Sequence, residues 1–337
     1  MNGTPTFLRG VNWTPIRPNY ADLTVEMYRE RLELYRAAGF NLLRVWGGGF
    51  LEKACFYDLC DEMGLLVWQE FPLSSSGPDN SPPADDGSLA EMERIGRSYV
   101  RRRRHHVSLL MWCGGNELQT KADGMPGTGL PLTADHPMLG LLARIVREDD
   151  GERRYMPTSA SGPRFTADAA DFGKGLHWDV HGPWRMPGDS LEKAVEYWSK
   201  DDALFRSETG HPAASPAELL RAYHGALADG PISLDNPLWR TTHWWLDEKQ
   251  FKAEKGHAPK DLEEYIEWTQ ANQSGALAAA ARACLNRFPA IGGFLVWMGH
   301  DSWPCAANTS IIDFDGVPKP AYAALKEIFA AGTAEGR

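Results

Sequence analysis

The sequence predicts an α/β fold, a (β/α)8 TIM barrel built as a single domain over residues 1–337. Two observations carry that expectation. A strand–helix–glycine rhythm repeats along the first hundred residues, and such repeats make right-handed βαβ units with a parallel sheet. Eight short apolar runs are then spread over a length that suits one barrel, which takes roughly 250 residues or more. A third observation weighs against the runner-up, an open doubly wound sheet: no GxGxxG follows the first strand.

The elements follow in order. Phe7 to Trp13 (FLRGVNW) is a short apolar run that fits a buried strand. Val25, Tyr28, Leu32 and Tyr35 recur at helical spacing and end at Gly39. Phe40 to Trp46 is the second strand, and Cys55, Phe56, Leu59, Cys60 and Met63 form a helical face closed by Gly64. Leu65 to Phe71 is the third strand, residues 74–87 a loop, and Leu89 to Arg104 a helix. Val107 to Cys113 is the fourth strand. Residues 121–137 form a loop before a helix at about 138–148. Tyr155 to Ser159, Leu176 to His181 and Ala203 to Ser207 are strands five to seven. A helix at 216–228, an aromatic segment from Pro237 to Trp245 and a helix at 261–287 lead to Ile291 to Met298, the eighth strand. Ala321 to Ala330 closes the chain as a helix.

Composition excludes several classes. Hydrophobic residues are 43% and charged residues 24%, so extended disorder and fibrous architectures are out. The net charge of −10 argues against a nucleic-acid partner, and Arg101 to Arg104 reads as a solvated helix end. No run approaches the roughly 18 apolar residues of a membrane span. The N-terminal residues do not read as a signal peptide. The expected location is therefore cytoplasmic, the alternative being a fragment of a larger secreted or periplasmic enzyme. The five cysteines lie scattered in apolar stretches and read as reduced thiols. With no CxxC and no HExxH, neither a metal nor an organic cofactor is expected. Gly47-Gly48-Gly49 lacks the Lys-Ser/Thr of a phosphate loop. Thirteen tryptophans outnumber the ten methionines, which points to an aromatic core or to a surface that stacks on sugars.

Barrel chemistry sits at the C-terminal ends of the strands. Those ends carry Asn12-Trp13, Arg44-Val45-Trp46, Gln69-Glu70, Asn116-Glu117, His177 to His181, Ser207-Glu208, and Trp297 with Asp301 beyond. Glu117 follows strand four in WCGGNE and Glu208 follows strand seven in FRSETG, so the two can face each other across the mouth. Retaining glycoside hydrolysis needs such a pair about 5–5.5 Å apart.

The ordered set RGVNWTP (9–15), LRVWGGGF (43–50), GNE (115–117), SETG (207–210) and GFLVWMGHDSWP (293–304) resembles the catalytic barrel of glycoside hydrolase family 2, with a lean toward its β-mannosidase branch. The resemblance implies a retaining β-glycosidase, Glu117 as acid/base and Glu208 as nucleophile. It implies that Asn116 binds the sugar 2-hydroxyl, that Arg44 lies beneath Glu208 and holds its pKa low, and that Trp297 floors the sugar subsite. Trp46, His177, His181, Trp184, Asp301 and Trp303 are further substrate-binding candidates. Trp46 and Trp184 stack on sugar or pack in the core. Glu70 contacts a hydroxyl or pairs with Arg44. Trp239, His243, Trp244 and Trp245 cap the pocket or form a satellite cluster. β-Galactosidase, β-glucuronidase or exo-glucosaminidase specificity and a non-catalytic carbohydrate-binding barrel remain the alternatives. Most tryptophans are expected to line the open end around Glu117 and Glu208. Larger family members carry flanking β-sandwich domains, so the chain is expected to be either a compact single-domain member or an isolated catalytic fragment.

Overall fold

The computed structural model describes residues 3–74, 80–120 and 129–334. Parts of the predicted 74–87 and 121–137 loops therefore lie outside the described residues. Eight strands form one curled sheet: β1 (Leu8–Trp13), β2 (Leu42–Val45), β3 (Leu66–Glu70), β4 (Leu109–Cys113), β5 (Arg154–Met156), β6 (Val180–His181), β7 (Arg206–Thr209) and β9 (Gly293–Val296). Their order is β5-β4-β3-β2-β1-β9-β7-β6, with every ladder parallel. The ring is completed between β5 and β6 by single contacts: Gly162 N–H donates to the Asp179 carbonyl at 3.1 Å and His181 N–H to the Phe165 carbonyl at 3.0 Å. A small antiparallel pair, β8 (Ala213–Ala214) with β10 (Ala307–Asn308), sits beside the ring.

The helices are α1 (Val25–Ala37), α2 (Ala54–Met63), α3 (Asp86–Arg103), α4 (Pro137–Asp149), α5 (Leu191–Lys200), α6 (Ala217–His224), α7 (Pro237–Arg240), α8 (Glu248–Lys255), α9 (Leu262–Asn286) and α10 (Pro320–Ala334). Local chemistry sets their ends. Thr24, Asp85 and Asp261 accept backbone N–H groups as N-caps, and Gly64 takes the left-handed conformation that closes α2. Among the described residues no helix is long and apolar enough to cross a membrane.

Strand alternation sorts the side chains into two layers. Leu42, Leu66, Trp68, Cys113, Met156 and Leu295 fill the ring's interior. Leu43, Val45, Val67, Trp112, Phe294 and Val296 join the main core formed with the helices. A separate cluster around Leu220, Trp239, Phe251, Tyr265 and Trp268 lies in the long connection between β7 and β9. The expected strands and helices are present with shifted ends. The fifth and sixth shrink to three and two residues. The helices α5, α7 and α8 have no helical counterpart in the sequence reading. One side-chain expectation fails as well, and the cysteine expectation holds. Arg103 is buried: it stacks on Tyr57 and donates to the Glu52 carbonyl at 2.7 Å, so the arginine run is not wholly solvated. The five cysteines are free, and four of them are buried.

Candidate active site

Alternation turns Asn12, Arg44 and Glu70 into the upper interior of the ring, where β1 and β2 pair Asn12 with Arg44. The Arg44 guanidinium is fully buried and spends its donors on four partners. Nε donates to Glu70 Oε1 at 2.9 Å, and Nη2 lies 2.7 Å from the same oxygen. Nη1 donates to Asn12 Oδ1 at 2.5 Å and to Glu208 Oε1 at 2.7 Å. Nη2 donates to Asn116 Oδ1 at 2.7 Å. Glu70 Oε2 in turn accepts the Gly47 N–H at 2.7 Å. Of the two readings for Glu70, the pairing with Arg44 is the one present.

Glu117 stands on a tight turn after β4. Gly114 precedes it so close to the next strand that a Cβ there would lie 2.2 Å from the Pro157 carbonyl oxygen, which only glycine tolerates. Glu117 itself has φ 53°, an uncommon conformation for a residue with a side chain. Its N–H donates to the Ser159 carbonyl at 2.6 Å, which ties the turn to the segment after β5. The carboxylate then points inward. Its Oε1 is 2.9 Å from His181 Nδ1, and Glu208 Oε1 is 3.5 Å from the same nitrogen. One oxygen of each glutamate and one nitrogen of His181 all lie within 4.8 Å of one another. Trp184 donates through Nε1 to Glu208 Oε2 at 3.3 Å. Such a trio could share a cation, but Arg44 already supplies a positive charge to Glu208 at 2.7 Å.

Burial raises both carboxyls, and their partners tell them apart. Burial pushes Glu117 up to about 7, with only a distant pull downward from Arg44. Burial also pushes Glu208 up to about 7, against His181 and Arg44, which lower it, while Glu117 raises it. The expected depression of Glu208 by Arg44 is therefore outweighed by desolvation. The pair titrates together, and one negative charge is what it holds near neutrality. Glu208 has the direct guanidinium bond and the tryptophan donor, so the charge belongs there and the proton on Glu117. His181 is neutral, because burial pushes it down to about 4.

The remaining candidates divide. Asn116, His181 and Trp184 join the cluster through the bonds above. Trp46 and Trp297 meet edge to face at 5.6 Å at the ends of their strands, and Trp297 N–H donates to the Thr209 carbonyl beside Glu208. His177 is elsewhere: its Nδ1 lies 2.5 Å from Asp202 Oδ1, and its ring packs on Phe172. It precedes β6, whereas the site follows it. Asp301 is fully buried, takes the Asn308 amide at 2.9 Å and faces Lys319 at 3.6 Å, so it is not open to a sugar hydroxyl. Trp303 is 39% exposed and has no aromatic partner among the described residues. Trp239 and Trp245 belong to the satellite cluster, and Trp244 is exposed.

The tryptophan expectation fails as a whole. Trp13, Trp68, Trp112, Trp198, Trp239 and Trp268 are buried in the hydrophobic clusters, so only Trp46, Trp184 and Trp297 flank the carboxylates. Trp13 shows why. With Asn12 facing inward, its neighbour must face the helices, where it stacks on Tyr28 and donates to Glu52. The sequence reading placed Asn12, Asp179 and Ser207 at strand ends without giving them a role, and it left out Ser159. For Asn12 and Ser207 a usable signal existed, since each is a polar residue at the end of an otherwise apolar strand.

Residues 1–129 match the family model of glycosyl hydrolases family 2, TIM barrel domain. That match spans the first four strands of the barrel, and over them the chain is similar to that family. Among curated relatives, beta-mannosidase B of Thermothelomyces thermophilus is 28% identical over 362 residues, and beta-mannosidase B of Neosartorya fischeri is 29% identical over 351 residues. Each alignment covers 97% of this chain and 39% of the relative, so the chain spans about two fifths of their length. Among solved structures, beta-D-mannosidase from Dictyoglomus thermophilum superposes with a TM-score of 0.78 at 26% identity, over 97% of this chain and 39% of that one. Amycolatopsis orientalis exo-chitosanase superposes at 0.71 with 16% identity, over 97% of this chain and 38% of that one, a likeness of fold alone.

Proposed function

We propose that the chain is a retaining β-glycoside hydrolase of β-mannosidase type, acting on β-linked mannosides or oligosaccharides. One observation carries the reading: a half-buried carboxyl after β4 and a buried one near the end of β7 lie within 4.8 Å, the second anchored to Arg44 and the first not. That asymmetry suits an acid and a nucleophile at the spacing of double displacement. Glu117 gives its proton to the glycosidic oxygen as Glu208 attacks the anomeric carbon. The leaving group departs, and a covalent glycosyl–enzyme ester remains. Glu117, now a carboxylate, takes a proton from water, whose oxygen attacks the same carbon and releases Glu208. Asn116 is held by Arg44 and presents its amide NH₂ side, bonded here to Ser74 Oγ at 3.2 Å, toward a sugar hydroxyl. The similarity to beta-mannosidases over 97% of the chain supports the choice of sugar.

A panel of aryl β-glycosides tests the reading. The β-mannoside should be turned over best, and Glu208→Ala should abolish turnover with an unchanged circular dichroism spectrum. Glu117→Ala should regain activity with azide on substrates with good leaving groups. Preference for a galactoside, glucuronide or glucosaminide would replace the sugar and keep the mechanism. Absence of hydrolysis across the panel, mannan-type oligosaccharides included, would sink the proposal.

A further inference from the structure

Behind the carboxylates lies a buried chain of polar side chains that double displacement as written does not use. His181 Nε2, the nitrogen facing away from the glutamates, is 3.1 Å from Ser159 Oγ. Ser159 Oγ is 3.1 Å from Asp179 Oδ2 and 2.9 Å from Ser207 Oγ. Ser207 Oγ donates to Asp179 Oδ1 at 2.5 Å, and Ser161 N–H donates to Asp179 Oδ2 at 3.1 Å. Asp179, Ser159, Ser207 and His181 are all at most 5% exposed. No Lys, Arg or His among the described residues pairs with Asp179. Its oxygens are met by hydroxyl and amide donors alone.

Counting hydrogens fixes the direction of the chain. An ionised Asp only accepts, and a serine has one hydrogen to give. Ser207 gives its hydrogen to Asp179. Ser159 gives its own to Asp179, the charged and therefore stronger acceptor, or to Ser207. Either way Ser159 Oγ has only lone pairs left for His181, so Nε2 must carry the ring hydrogen. A neutral imidazole then has a bare lone pair on Nδ1. That lone pair faces Glu117 Oε1 at 2.9 Å, a distance that needs a hydrogen between the two atoms. The hydrogen comes from Glu117.

We infer that Asp179, acting through Ser159, is a positioning residue that fixes His181 as the Nε2–H tautomer, so that its Nδ1 accepts the proton of Glu117 and holds that carboxyl in its acid form. The inference rests on the reading of Glu117 as the acid. The ionisable groups facing Glu117 and His181 are Glu208 on β7, Arg44 on β2 with its partner Glu70 on β3, and Asp179 before β6. Arg44 and Glu208 bear on both states of the imidazole. Only Asp179 selects which nitrogen carries the hydrogen. The neutral ring deduced from burial agrees with this arrangement.

Two measurements test it. Nitrogen-15 NMR of the full chain with labelled histidine, His181 being assigned with His181→Gln, should show a protonated Nε2 and a bare Nδ1 below the alkaline limb. A proton on Nδ1 overturns the inference. This readout needs no substrate, so it stands apart from the glycosidase assignment. In kinetics, Asp179→Asn frees Ser159 to donate to Nε2 and moves the ring hydrogen to Nδ1, which then stabilises ionised Glu117. The alkaline limb of kcat/KM should fall by about one pH unit. The loss should be roughly tenfold greater for alkyl or sugar leaving groups than for dinitrophenolate, which needs little acid help. Equal losses on both, with an unmoved limb, would mean a merely structural aspartate. Ser159→Ala breaks the same link and carries the same expectation should Asp179→Asn fail to fold.

Discussion

One guanidinium organises the site: Arg44 holds Asn12, Glu70, Asn116 and Glu208 from a single buried position. Arg44→Met should therefore strand two buried carboxyls and cost roughly 3–5 kcal/mol, read by urea denaturation, together with most of the activity. Glu117 gives a prediction of opposite sign. Its folded value of about 7 lies above the ordinary 4.5, so across that window the folded chain holds more protons than the unfolded one. Stability then falls as pH rises from 4.5 to 7. Glu117→Gln removes that cost and should be more stable than the parent by on the order of 1–3 kcal/mol above pH 7. The two melting curves should converge below pH 4.5. Asp301→Asn should lower stability by breaking the pairing with Lys319, with KM little changed; a large rise in KM would put Asp301 back at the sugar. At this scale the sequence made Glu117, Glu208, Arg44 and Asn116 legible, because each is a polar residue at or just past the C-terminal end of a strand. Asp301 and His177 were misjudged because neither sits at the end of a ladder, so no alternation rule told which way it faces.

At the scale of elements, the turn after β4 is where backbone and chemistry meet. Gly114→Ala would drive a methyl into the Pro157 carbonyl and should destabilise by at least about 1–3 kcal/mol, displacing Glu117 from His181. A chemical melt alongside activity checks both. The strands were readable as short apolar runs bounded by turn residues, and the long helices as periodic faces closed by glycine. The helix α5 was missed. Its apolar residues Leu191, Ala194, Val195 and Trp198 recur at helical spacing on one face, a signal the reading passed over; Ala194 and Trp198 are buried, while Leu191 and Val195 are 50% and 53% exposed. It also follows a run rich in glycine and proline, Gly182 to Gly188, that reads as loop. The shortness of β5 and β6 has a related cause: their segments bond chiefly through isolated contacts, which leave no alternating pattern to detect.

For the whole molecule, the ring is strong on one side and thin on the other. β1 to β3 are joined by continuous ladders and β3 to β4 by a ladder with one register shift at Val67, while the join between β5 and β6 rests on a few bonds across residues 159–181. Hydrogen exchange should open amides of that seam before those of β1 and β2. Uniform protection around the ring would refute this. The seam also carries Ser159, Asp179 and His181, so the most delicate part of the site lies on the least secured part of the barrel.

The satellite cluster around Trp239, Phe251, Tyr265 and Trp268 has a different consequence. Two apolar nuclei in one chain share little, so their mutational costs should sum. Phe251→Leu combined with Leu43→Ala should differ from the sum of the single effects by less than about 0.5 kcal/mol. Lineages of this barrel are then free to remodel the long excursion beyond Glu208 by drift, exchanging one rim for another, without renegotiating the ring that aims the carboxylates.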